Sequence, residues 1–264
     1  MSSITAKDVQ ALRQATGAGM MDAKKALTNN DGDFDAAAKW LREQGLVKAA
    51  SRSDRENTQG AVAIARADGA IAMVELKCET DFSAKADDFI KAVTTLAEAV
   101  AARGEGAVSE LAAEVDQMKI TKKENIEVGE VVRWEIGESD IVDAYLHLQD
   151  GRGVNGVLVE LSGGSVELAH DIAVHIAFSK PDYRSRDEVP TELVEAERSA
   201  LIDLTKAEGK PEAALDKIVE GRLTGWFKER VLLEQSFVRD EKQTIAQLLG
   251  DAKLVRFDQI VIGS

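Results

Sequence analysis

Residues 61–77 leave the chain little conformational choice. Two runs of small and β-branched residues, 61–67 and 70–77, flank Asp68-Gly69. An Asp-Gly pair between such runs is a strong short-range signal for a β-hairpin closed by a two-residue turn. The pattern around this hairpin is helical. After it, Phe89, Val93, Leu96 and Val100 fall on one face of a helix over 87–102, which predicts a helix packed on a sheet. A second copy of the plan follows. A strand over 131–136 carries Val132, Trp134 and Ile136 on one face, and 141–148 and 156–161 read as a second pair of strands. Leu168, Ile172 and Ile176 then mark a helix.

The first fifty residues read as three short helices. Thr5 and Asp8 form a capping box for the first, with Val9 and Leu12 on its apolar side, and Thr16, Gly17 and Gly19 end it. The second spans about 20–27 with Met20, Ala23 and Leu27 on one stripe. Asp33 caps the third, where Phe34, Ala37, Ala38 and Leu41 share a face and Gly45 is placed as its C-terminal cap. Residues 51–59 are polar and read as a linker. From Pro190 the chain turns helical and highly charged. Leu193, Ala196, Ala200 and Leu204 form a stripe, Gly209-Lys210-Pro211 a turn, and Leu215, Ile218 and Val219 open a return helix. The two make an antiparallel helical hairpin. A short helix over 244–249 and a strand over 254–262 close the chain.

Charge and composition exclude several function classes. The net charge of −14 in 264 residues repels phosphate backbones and argues against direct nucleic-acid binding. It suits docking on a basic patch of a protein partner. A single cysteine, Cys78, and three histidines exclude an internal disulfide and make a His/Cys metal cluster implausible. Residues 1–10 do not resemble a signal peptide, and no stretch stays apolar for the ~18 residues of a membrane helix. A reduced, cytoplasmic protein with no membrane association is expected.

Catalytic motifs are absent or only apparent. Gly151-x-Gly153-x-x-Gly156 has dinucleotide spacing, but Val157–Leu161 behind it reads as a strand where the motif needs a helix N-terminus. A flexible hairpin loop is the plainer reading. No phosphate-loop motif for a nucleoside triphosphate is present. His170 and His175 lie five apart and match no metal-binding pattern, so structural or solvent-facing roles are expected. Cys78 reads as a buried small hydrophobe. The expectation is a non-enzyme with no cofactor and no metal.

Two features carry more information. Phe82 follows Thr80-Asp81 in a polar segment at a strand-to-helix junction. It is either a buried staple or an exposed wedge, and the residues alone favour core packing. Met20 and Met21 are adjacent on a short helix and cannot both face one core, so one of them is expected at the surface, where methionine suits an adaptable contact.

Four ordered motifs then bring in a resemblance. Thr16-Gly-Ala-Gly-Met-Met-Asp22 with Lys24-Lys25-Ala26-Leu27 is similar to the N-terminal signature of the bacterial elongation factor Ts family. Glu79-Thr80-Asp81-Phe82-Ser83-Ala84-Lys85 resembles its core signature. Ile176-Ala-Phe-Ser-Lys-Pro-Asp182 resembles a third block. The fourth runs from Ile218-Val-Glu-Gly-Arg222 through Leu232-Leu-Glu-Gln235 to Phe237-Val238, with Ser236 where members usually carry proline. The resemblance implies an α+β fold. An N-terminal three-helix UBA-like domain and linker would cover 1–55. Core subdomain N would cover 56–140, and core subdomain C 141–180 and 228–264, each with a small, mainly antiparallel sheet. A protruding helical hairpin would occupy 181–227.

It also implies a guanine-nucleotide exchange factor whose partner is the GTPase elongation factor Tu, with a homodimer or a heterotetramer as further assemblies. Thr80, Asp81, Phe82 and Ser83 match the segment that enters the GTPase beside its magnesium. Phe82 is the wedge between two helices, and Asp81 supplies polar contacts. The histidine of a Tyr-x-His pattern packs near that wedge in the family, and its match is His147 after Tyr145. Met20 and Met21 match contacts made by the N-terminal helices. Some members carry a further C-terminal helix, which is not expected here because the chain stops at Ser264. Two other readings compete: a UBA-type interaction adaptor without exchange activity, which should tolerate Phe82→Ala, and an enzyme using the Gly151 loop for a cofactor.

Overall fold

A computed structural model describes residues 4–137 and 140–263. The fold is α+β, and the chain divides into two compact units. The first comprises Met1–Glu135, Leu148–Val154 and Val261–Ser264, and the second Ile136–His147 and Asn155–Ile260.

The first unit opens with three helices, α1 (Ala6–Thr16), α2 (Met20–Asn29) and α3 (Phe34–Ala50). Both halves of the Thr5–Asp8 capping box form, and Asp33 accepts the Ala36 N–H at 2.9 Å. Val9, Leu12, Ala23, Ala26, Leu27, Ala37 and Leu41 make the small core. Burial in α2 starts at Ala23, so Met20 stands outside the stripe assigned to it, and Phe34 is also exposed. The helix α3 does not stop at Gly45. A Cβ there would lie 2.9 Å from Ile120 of a later helix, so the glycine permits close helix–helix approach and the helix continues past it.

Strands β1 (Gln59–Ala67) and β2 (Ala70–Cys78) pair antiparallel in unbroken register from Gln59↔Cys78 to Ala67↔Ala70. After the short helix α4 (Asp81–Ala84), helix α5 (Asp87–Arg103) covers the sheet, burying Phe89, Val93, Leu96 and Val100 against Ala72, Val74 and Leu76. Each such large side chain contributes about 1.5–3 kcal/mol on burial. Helices α6 (Ala107–Glu110) and α7 (Ala112–Lys122) follow, where the sequence reading places no element. Strand β3 (Glu127–Glu135) then pairs with β2 and begins earlier than its apolar pattern indicates. The stretch read as a linker is held in place: Asn125 Nδ2 donates to the carbonyls of Ser53 at 3.1 Å and Arg55 at 2.8 Å.

The second unit is built on most of β4 (Ile141–Gln149), β5 (Arg152–Ser162) and β8 (Lys253–Val261), with β5 central, whereas the β4–β5 tip, 148–154, belongs to the first unit. The connection between β4 and β5 is the pair Asp150-Gly151, both with positive φ (53° and 81°), as the tightest hairpin turns require. Gly153 is already strand, opposite Val62. The glycine spacing at 151–156 is therefore a turn entering a strand, with no helix behind it. Helix α8 (Val166–Ser179) packs Ile172 and Ile176 on the sheet with Val157, Val159 and Leu161.

Helices α9 (Thr191–Ala207) and α10 (Leu215–Arg230) form the antiparallel hairpin. The predicted stripe on α9 is the outer one: Leu193 and Leu204 are exposed, whereas Val194, Leu201 and Thr205 face inward. Thr205 is polar and escapes an apolar count, yet its hydroxyl is satisfied by the Leu201 carbonyl at 2.6 Å. The short strands β6 (Ser236–Phe237) and β7 (Asp240–Thr244) pair, and α11 (Ile245–Leu249) precedes β8. Among the described residues no helix is long and apolar enough to cross a membrane.

Candidate functional site

The site follows directly from the end of β2. Cys78 closes the strand, fully buried, with its thiol pushed up to about 12 by burial and by the nearby Glu124 carboxylate. Its sulfur donates to the Thr80 carbonyl at 3.2 Å. Such a thiol packs and does not react. Thr80 then caps α4, accepting the Ser83 N–H at 3.2 Å, and Ala84 anchors the other end of this single turn in the core.

Glu124 organises the turn from outside it. Its carboxylate accepts the backbone N–H groups of Glu79 at 3.1 Å and Thr80 at 3.2 Å. It also accepts the hydroxyls of Thr80 at 2.8 Å and Ser83 at 2.6 Å. Glu79 in turn accepts the Asn125 N–H at 2.7 Å and pairs with Arg55. Hydrogen bonds to an ionised acceptor are about twice as strong as neutral ones, so the backbone here is tightly held.

On this platform Phe82 points outward. Its side chain is 88% exposed, which overturns the core-packing reading of the residues alone. The physical reason is local: the cap at Thr80 and the anchor at Ala84 set the helical turn, and position 82 falls on its outer side. Leaving a phenylalanine in water forgoes about 1.5–3 kcal/mol of burial. Beside it, the Asp81 carboxylate pairs with Lys85 Nζ at 2.8 Å, and the same ammonium reaches Asp150 at 3.0 Å on the hairpin tip. That hydrogen bond and charge hold Asp81 below its usual value, while the two carboxylates raise Lys85.

The other predicted residues lie elsewhere. Met20 and Met21 are both exposed, at 56% and 76%, on the first turn of α2. His147 lies on β4 in the second unit, exposed, with its ring stacked on Tyr145 and Nδ1 3.3 Å from the tyrosine hydroxyl. His170 is at the surface against Asp143 at 2.8 Å. His175 is fully buried, with Nε2 3.0 Å from Gln235 Oε1 while Nδ1 accepts the Val238 N–H at 3.3 Å. Sequence reasoning brings Thr80, Asp81, Phe82 and Ser83 together because they are contiguous. It misses Glu124 and Asp150, which reach the turn only through the fold. An acidic residue among 47 gives no local signal.

Comparison with known proteins gives the family. The family model described as Elongation factor TS matches residues 79–264, from the first residue of the turn onward. The chain is 44% identical to the elongation factor Ts of Renibacterium salmoninarum, covering 100% of both chains. It is 44% identical to that of Pseudarthrobacter chlorophenolicus, again over 100% of both. Against that of Cutibacterium acnes the identity is 44% over 97% of this chain and 98% of the relative. With matches of this length and the signature turn displayed at the surface, the chain belongs to the elongation factor Ts family of protein-biosynthesis factors.

Proposed function

We propose that the chain accelerates GDP release from elongation factor Tu by mechanical displacement, with no covalent chemistry of its own. Phe82 enters between two helices of the GTPase beside its magnesium and nucleotide site, while Asp81 adds polar contacts. The displacement dislodges the partner's magnesium and disturbs its phosphate loop. Met20 and Met21 grip another face of the GTPase, and His147 supplies a further contact. The observation that carries this reading is the Phe82 ring, 88% exposed on a turn held by Glu124. An aromatic side chain on a preorganised backbone loses little further freedom when it docks.

The energetics are of the right size. A GTPase holding GDP at nanomolar affinity gains roughly 12 kcal/mol from it. With association near ~10⁶ M⁻¹s⁻¹, GDP then leaves about once in ~10³ s. Accelerating release ~10⁴-fold lowers the barrier by about 5.5 kcal/mol. Loss of a magnesium bridging phosphate oxygens and of a few phosphate hydrogen bonds is of that order. Linkage makes the effect reciprocal, so the chain binds nucleotide-free partner most tightly and leaves when GTP refills the site.

The test is release of fluorescent GDP from elongation factor Tu, timed with the wild-type chain and with Phe82→Ala. Strong acceleration by the wild type and at least ~10-fold less by the variant, about 1.4 kcal/mol, supports the wedge. Binding by the wild type without any change in the GDP off-rate defeats the proposal and leaves the adaptor reading.

A further inference from the structure

A cleft of about 510 Å³ opens between the three-helix bundle and α7, within the first unit. Six cations line it: Lys25 of α2, Lys39, Arg42 and Lys48 of α3, Arg52 just beyond, and Lys123 after α7. Asp22 is the one carboxylate in the lining. The chain as a whole has 47 acidic and 33 basic residues, so this surface reverses the sign of the molecule. Among the described residues the side chains of Lys39, Arg42, Lys48 and Lys123 enter no ion pair and no hydrogen bond. Lys25 lies over the Trp40 ring at 5.9 Å, and Arg52 donates to the Lys119 carbonyl at 3.4 Å.

Like charges gathered in a concavity repel one another and focus a positive potential there. Helix α2 adds to it. It starts at Gly19 on the cleft wall with no side chain capping its first N–H groups, which leaves donors at the site, while Asp22 in that turn offsets part of the helix dipole. The volume lies in the range of small-ligand sites. Guanidinium and ammonium groups together suit phosphate oxygens.

We propose that this cleft binds a compact polyphosphate anion of nucleoside di- or triphosphate size, with Arg42 and Lys48 among its principal charge contacts. The absence of a phosphate-loop motif does not bear on it, because the site is assembled from four separate helices. It is independent of the exchange activity and is tested without the GTPase.

The experiment is calorimetric titration of the full chain with GTP and, separately, with inorganic triphosphate, at low and at raised salt. Saturable 1:1 binding that weakens with salt is expected. It should weaken at least ~10-fold in Arg42→Ala/Lys48→Ala and stay unchanged in Lys228→Ala/Lys242→Ala, which removes the same charge from the second unit. Circular dichroism checks that both variants fold. Equal affinity for the two ligands means the phosphates alone are read, and tighter GTP binding means the base is held as well. Either supports the site. No saturable binding of either ligand, or equal affinity in Arg42→Ala/Lys48→Ala, overturns it.

Discussion

Ser83 Oγ donates to Glu124 Oε1 across 2.6 Å, spanning 41 positions in the chain. The same carboxylate takes the Thr80 hydroxyl and two backbone N–H groups. One side chain from outside the signature thus sets the geometry in which Phe82 is presented.

Glu124→Gln should therefore act on exchange through the turn. The amide keeps one acceptor oxygen in place of two and brings donors to where the turn already donates. Amide hydrogen exchange over residues 79–83 should speed up, since the turn opens locally more often. The maximal rate of GDP release should fall about 10-fold, a loss of roughly 1.4 kcal/mol. Half-saturation should move less than the rate, because the methionines of α2 do not depend on Glu124.

Phe82 within α4 and Phe89 within α5 should separate stability from function. Phe82→Ala removes an exposed ring and should leave unfolding free energy within about 0.5 kcal/mol. Phe89→Ala empties a fully buried position and should destabilise by about 3–5 kcal/mol. Denaturant titration of both variants beside the exchange assay checks this. A Phe82→Ala chain as destabilised as Phe89→Ala contradicts the exposed placement.

Gly45 should tolerate no larger side chain. A Cβ there meets Ile120 Cγ atoms at 2.9 Å, and these branched atoms sit close to the backbone and yield little. Gly45→Val should destabilise by about 1–3 kcal/mol through overpacking, despite the cost of glycine within a helix. Combining it with Ile120→Ala should recover part of the loss, and non-additivity in a double-mutant cycle measures the contact.

His175 should make the second unit sensitive to mild acid. Burial holds its pKa below the ordinary value of 6.5, opposed by its hydrogen bond with Gln235. Its neighbours are the Gln235 amide, the Val238 N–H and the Phe237 ring. Between the folded and unfolded pKa values the unfolded chain binds more protons. The contribution is therefore complete above about pH 6.5 and is lost as pH falls below it, by at most about 1.4 kcal/mol per unit. Urea titrations from pH 7.5 to 5.5 should show this slope, and His175→Gln should flatten it.

Much of the fold is legible locally. The hairpin at Asp68-Gly69, the capping box of Thr5 and the apolar face of α5 depend on neighbours within a few residues. The same Asp-Gly signal stands at 150–151, hidden by a glycine spacing that suggests a cofactor loop. Helix α7 also carries a local signal, Leu111, Val115 and Met118 at helical spacing against the core, which the sequence reading leaves unused, and Ile120 packs on a glycine of α3. The inner face of α9 escaped because Thr205 and the ion pairs of Arg198 and Arg222 do what an apolar stripe would do.

By itself the sequence determined most of the order of elements, apart from α6 and α7, the position of the signature turn and the family. These rest on short-range conformational preference and on contiguous motifs. Only the tertiary structure decided that Phe82 faces water, that Glu124 and Asp150 hold its platform, and that six cations share one cleft in an acidic protein. Solvent exposure, hydrogen bonds across 41 positions and the convergence of charge are properties of packing. Packing brings together residues whose spacing along the chain carries no trace of their meeting.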